Sequence, residues 1–168
     1  MKQTLKYIYE RLLDSFKIAE GKYAISIALA SGVIVYGSSF IATANLHIRI
    51  LAGGCIIFAL VSVLYGFVAL FARRIRFFKK QKPRKIDNLM YYKTIMKFNE
   101  YDYVNEVKIR YNFPKSYKPD ELDYDLARML ISQAKVINLK FLYFNLSLVF
   151  LIASILLGVG LVIFMGLI

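Results

Sequence analysis

The sequence predicts an all-α membrane protein, and three observations carry that prediction. Three stretches, Tyr23–Ala44, Ile50–Phe71 and Phe141–Met165, contain no charged residue, and each is long enough for the roughly 20 helical residues that cross a bilayer. Outside them, apolar residues recur at helical spacing. The whole chain of 168 residues is 58% hydrophobic, with a mean hydropathy of +0.51, too apolar for an ordinary soluble domain. The parts expected are an amphipathic helix over 1–22, a transmembrane hairpin over 23–71, a small cytosolic helical module over 72–140 and a third transmembrane helix over 141–168, continuous with a cytosolic helix.

The first element places Leu5, Ile8, Tyr9, Leu12, Leu13 and Phe16 on one helix face, the i, i+3, i+4, i+7 pattern of an amphipathic helix. Such a face either packs on other cytosolic helices or lies on lipid. Acids Glu10 and Asp14 on its polar side favour packing. Glu20-Gly21-Lys22 then marks the water–lipid boundary. The first span holds Ser31, Gly32, Gly37, Ser38 and Ser39, and the second Gly53, Gly54, Ala59, Gly66 and Ala69. Small residues let helices approach where no hydrophobic effect favours helix over lipid. They serve packing within the hairpin or an interface between copies. The short connector Asn45–Arg49 makes the two spans antiparallel.

A basic run from Arg73 to Lys85 follows. Five Lys and Arg precede the first span, Arg49 alone lies in the hairpin connector, and 17 fall between Arg73 and Lys140. Basic residues accumulate on the cytoplasmic side, so the amino terminus and residues 72–140 are expected inside and the carboxyl terminus outside. The same charges, a net +12, suit an anionic lipid surface. No groove-reading or RNA-binding motif accompanies them, so nucleic acid is not expected as a partner.

Within the module, Asp87–Phe98 reads as a short helix, and Asn99 with Asp102 as a cap that restarts a helix through Ile109. Asn112-Phe113-Pro114 breaks it. Pro119, Asp120, Glu121 and Asp123 suit the first turn of the last helix, by fixed φ and by charge at the positive dipole end. That helix carries Leu122, Leu126, Met129, Leu130, Gln133 and Ile137 at helical spacing before its charge-free half begins at Phe141.

Catalysis has little to work with. Cys55 is the single cysteine and His47 the single histidine, which removes a disulfide, a cysteine metal site and the usual triads. No enzyme activity, metal or cofactor is expected. Ala42-Thr43-Ala44 mimics a signal-peptide cleavage site, but the apolar stretch before it is too long and a charged segment precedes it.

The order and spacing of three stretches resemble the Pycsar effector family, small bacterial membrane proteins encoded beside nucleotide cyclases. The stretches are Ala19-Glu20-Gly21-Lys22-Tyr23-Ala24; Asn88-Leu89-Met90-Tyr91-Tyr92 through Asn99-Glu100-Tyr101; and Asp125-Leu126-Ala127-Arg128 with Gln133 through Phe141. Here Glu20, Tyr23, Tyr92 and Met129 stand where the family more often has Asp, Ala, Phe and Gln. The resemblance implies an antiphage effector of the bacterial inner membrane. Such an effector binds a cyclic nucleotide from a neighbouring cyclase, forms homo-oligomers and impairs the membrane before phage is released.

A nucleotide site needs cations for phosphate, aromatic faces for stacking and amides for base edges. Asn88, Tyr91, Tyr92, Arg128, Gln133, Lys135 and Asn138 supply these types and are the candidate ligand residues. No Gly-rich phosphate loop is present. For Tyr91 and Tyr92 the alternative is helix packing, for Asp125 with Arg128 a surface ion pair, and for Lys135 and Lys140 snorkelling at the lipid boundary. Glu20, Lys22, Asp125 and Lys140 are the candidate gating residues. Glu20 is placed to frame the membrane edge or to pair with Lys140. A second functional class stays open: a constitutive scaffold or channel subunit whose basic face holds anionic lipid or a protein partner.

Overall fold

The computed structural model describes residues 1–42, 45–71 and 88–166. The basic run Arg73–Lys85 and Asp87 lie outside the described residues. The elements, in order, are α1 Lys2–Ser38, α2 Leu46–Leu70, α3 Tyr92–Ile95, α4 Glu100–Arg110 and α5 Glu121–Gly166. They divide into two compact units, a polar one of 1–18 with 72–139 and a membrane one of 19–71 with 140–168.

In the polar unit, Leu5, Ile8 and Leu12 of α1 are buried, as are Tyr103, Val104 and Val107 of α4 and Ala127, Leu130, Ala134 and Ile137 of α5. The amphipathic face of α1 is therefore a packing face. Burying each Leu or Ile contributes about 1.5–3 kcal/mol, which an 11-residue helix such as α4 needs, since helices that short are marginal alone.

The starts and stops follow local chemistry. Asn99 Oδ1 accepts from Asp102 N (2.7 Å) and opens α4. The chain leaves α4 through Asn112 at φ 52°, with Asn112 N donating to Ile109 O (3.3 Å) and Phe113 N to Lys108 O (3.1 Å). This is a Schellman closure, and Asn tolerates its left-handed position. A reciprocal cap opens α5: Asp123 N donates to Asp120 Oδ1 (3.0 Å) and Asp120 N to Asp123 Oδ2 (3.3 Å). Pro119 thus precedes the cap rather than occupying the first helical turn.

Two further expectations change. The helix expected over Asp87–Phe98 contracts to Tyr92–Ile95, because Asn88 Oδ1 captures Met90 N (2.9 Å) and sets a turn instead, the competition typical of Asn. Tyr91, in extended conformation, then starts the helix without a side-chain cap. The segment 1–22 is not a separate helix either. α1 runs 37 residues unbroken through Gly21, where a Cβ would meet nothing within 4 Å; a lone glycine lowers helix propensity by about 1 kcal/mol without stopping a helix.

The membrane unit is a three-helix bundle. Cys55 pairs with Ser154 and Ser62 with Ser147, so α2 runs antiparallel to α5. Ser26 pairs with Ser147 and Tyr23 with Phe144, so α1 runs parallel to α5. Close approach rests on small residues. A Cβ at Gly66 would lie 3.1 Å from Ile27 Cγ1, and one at Gly37 2.9 Å from Ile56 Cγ1. Ala30, Ala59 and Leu151 form one buried cluster and Ala19, Tyr23 and Ala69 another.

α1 stops at Ser38, short of the expected Ala44. Ser38 and Ser39 hydroxyls donate to Val35 and Tyr36 carbonyls (2.8 and 2.7 Å), satisfying acceptors that a helix end leaves open. α2 starts a turn early, at Leu46, where Asn45 Oδ1 accepts from His47 N (3.0 Å). Among the described residues, three helices are long and apolar enough to cross a membrane. Their outer faces expose Ile25, Leu29, Val35, Ile57, Leu64, Val149, Leu156 and Val162, an apolar surface that lipid accommodates and water does not.

Candidate functional site

The richest polar constellation of the membrane unit lies where α1 and α5 enter it. Lys140 Nζ donates to Glu20 Oε1 at 2.9 Å; the Lys140 side chain is 3% exposed and that of Glu20 45%. One partner is thus nearly dry and the other half wet. Next along α1, Lys22 Nζ stands 5.6 Å from the Phe141 ring centroid and 5.7 Å from that of Phe144, within range of a cation–π attraction. Tyr23, fully buried, donates its hydroxyl to the Lys140 carbonyl and meets Phe144 edge to face at 5.7 Å. Three successive chemistries (ion pair, cation–π contact and hydrogen bond) therefore fasten α1 to α5 over four residues. Glu20, Lys22 and Lys140 are brought together; Asp125 belongs to the polar unit.

Below this entry the bundle carries a buried polar seam. Ser62 Oγ donates to Ser147 O (2.8 Å), Ser147 Oγ to Ser62 O (2.9 Å), and the two hydroxyls lie 3.0 Å apart. Ser26 Oγ is 3.2 Å from Ser147 Oγ. One heptad on, Ser154 Oγ donates to Cys55 O (2.6 Å) and Cys55 Sγ to Ser154 O (3.2 Å). Sequence reading missed these residues. The signal was present as two matched seven-residue spacings, Cys55 with Ser62 and Ser147 with Ser154, each the repeat of a packed seam.

In the polar unit the candidate ligand residues separate. Tyr91 and Tyr92 lie side by side with ring centroids 4.7 Å apart. Burial, then the neighbouring Tyr91, pushes the Tyr92 phenol well up. Asn88 is used in the turn described above. Arg128 bonds Asp125 (3.0 Å), both exposed, and reaches the partly buried Glu100 (3.6 Å), so it ties α5 to the start of α4. At about 100° per residue, Lys135 shares the stripe of Arg128 and Asn138 lies nearby. Gln133 falls on nearly the opposite side of α5, so the four polar residues of this helix do not converge.

Three long helices with apolar outer faces, continuing from or beside a small charged helical unit, define a membrane protein by length and composition. The family model described as the Pycsar effector protein domain matches residues 4–167, and the chain belongs to that family, as a membrane effector of the Pycsar defence system. No curated protein and no solved structure matches it.

Proposed function

We propose that a cyclic nucleotide, made by a partner cyclase, binds the polar unit on the cytosolic side and switches the membrane unit to a state that impairs the bacterial inner membrane. Infected cells then stop growing before phage is released. The observation that carries this reading is that α1 and α5 each contribute residues to both units without a break. Neither helix has a loop that would uncouple an event in one unit from the other. On this reading the amino terminus and residues 72–140 face the cytoplasm and the carboxyl terminus lies outside, the orientation that the distribution of basic residues favours. α1 and α5 running in parallel agrees with that topology.

The protein acts without catalysis, by differential binding of the ligand to closed and active states, which must supply a few kcal/mol. Glu20 and Lys140 form a contact of the closed state that breaks on activation. Copies of the chain assemble in the active state. Reconstitution into dye-loaded liposomes with a panel of cyclic mono-, di- and trinucleotides tests the proposal. Release triggered by one member supports it. Silence under every addition, with folded and correctly oriented protein, transfers support to a scaffold role. Release without any ligand points to constitutive disruption. Separate and combined charge reversal at Glu20 and Lys140 tests the contact: if the double variant does not recover what the single variants lose, the pair is not the gate.

A further inference from the structure

The connector between α4 and α5 is hydrogen-bonded from behind. Lys108 Nζ donates to the carbonyls of Lys115 (3.1 Å) and Tyr117 (2.6 Å). Tyr117 donates its hydroxyl to Asp123 Oδ2 at 2.6 Å, and Asp123 is fully buried in the first turn of α5. Held this way, the connector presents Phe113 and Tyr117 with ring centroids 5.7 Å apart, followed by Lys118. Across from it, the first turn of α1 offers Gln3 and Thr4, and Lys2 pairs with Asp120 at 2.6 Å. These residues line a groove of about 470 Å³, within the size range of small-molecule sites.

The groove carries residue types that a nucleotide would use. Lys118 has no ion pair among the described residues, and Lys2 and Lys118 outnumber Asp120 in the lining, so the groove carries a positive charge that favours an anionic group. Two aromatic faces can take a base by stacking, and an amide and a hydroxyl can bond its edge. The groove also lies between the first turn of α1 and the residues just before α5, the two helices that continue into the membrane unit.

We infer that this groove, and not the stripe of Arg128 and Lys135, receives the nucleotide, and that the Lys2–Asp120 pair is the latch it opens. Phosphate competes with the Asp120 carboxylate for Lys2, which frees the start of α1 from the start of α5. The inference rests on the nucleotide-gated reading above and assigns that reading its site.

The test is calorimetric titration of the full chain in nanodiscs with 3′,5′-cyclic mononucleotides and cyclic dinucleotides. Lys118→Glu and Phe113→Ala should each weaken binding of the responding nucleotide about tenfold or more, with the exposed Lys93→Glu as the charge control. Asp120→Asn keeps a capping side chain but removes the competitor, so it should tighten binding severalfold, an effect that damage to the fold would not produce. Unchanged affinity in Lys118→Glu and Phe113→Ala, or weaker binding in Asp120→Asn, overturns the assignment. Loss in Arg128→Ala with Lys118→Glu unaffected overturns the site and leaves the gated reading standing. No binding by any nucleotide to the unaltered chain overturns both.

Discussion

Removing Glu20 and removing Lys140 should have very different costs. The pair is 2.9 Å long, with Lys140 3% and Glu20 45% exposed. Two unit charges at that distance attract by about 1.4 kcal/mol in a water-like medium and about 6 kcal/mol at an effective dielectric of 20. Because Glu20 sits half in water, the net value lies toward the lower end. Glu20→Ala, which takes the carboxylate away from a buried ammonium, should cost about 1–3 kcal/mol. Lys140→Met removes the buried charge, keeps the volume and leaves a carboxylate that water can reach. It should cost less than about 0.5 kcal/mol or stabilise the bundle. Reversible unfolding in mixed micelles, followed by circular dichroism, measures both. Equal costs, or a larger cost for Lys140→Met, would refute the reasoning that burial of the lysine sets the asymmetry.

Four further outcomes follow from the packing and the caps. Gly53→Ala, with open space around the new methyl, should stabilise α2 by up to about 1 kcal/mol, whereas Gly37→Ala, 2.9 Å from Ile56 Cγ1, should destabilise by about 1–3 kcal/mol; the same unfolding assay separates them, and matching signs would contradict the close approach. Ser147→Ala removes bonds to Ser26 and Ser62 and should cost about 0.5–2 kcal/mol, since each such bond inside a membrane is worth about 0.6; in the Ser62→Ala background the cost should shrink, as a double-mutant cycle would record. Tyr117→Phe should cost about 1 kcal/mol at neutral pH. The hydrogen bond to Asp123 raises the Tyr117 phenol to about 12, so its contribution is complete below the ordinary value of 10.0 and is lost as pH rises through about 12. The Lys2 bond and the Asp123 backbone amide hold Asp120 below the ordinary 3.8. Stability from Asp120 is therefore present above that value and lost as pH falls through the depressed one. A melting series against pH that is flat at both ends would contradict these assignments.

The spans and the unbroken course of α5 were legible because each depends on residues close in sequence. A charge-free run needs no partner to be read, and Asn99 with Asp102 acts within one turn. Asp87–Phe98 misled because Asn88 spends its side chain on a turn that competes with helix. Gln133 was grouped with Arg128 and Lys135 by composition, although two residues along a helix reverse direction. Pairings such as Lys2 with Asp120, Ser62 with Ser147 and Glu20 with Lys140 join residues far apart in the chain. Only Glu20 with Lys140 was anticipated, since opposite charges at the entries of two spans invite the pairing. The serines carry no charge to betray them, and their seven-residue spacing becomes informative only when α2 and α5 are seen to face each other.

The seam of α2 and α5 also supplies a gauge of its own separation. Cys55 is the single thiol of the chain, is 1% exposed and points its sulfur at the Ser154 carbonyl. A maleimide cannot reach it while the two helices remain in contact. The rate at which the unaltered protein takes up such a label would therefore time the parting of these helices inside the bilayer, with no engineered residue and no reliance on leakage. A ligand that opens the bundle along this line must hasten the labelling, and one that merely gathers closed bundles together must leave it as slow as before.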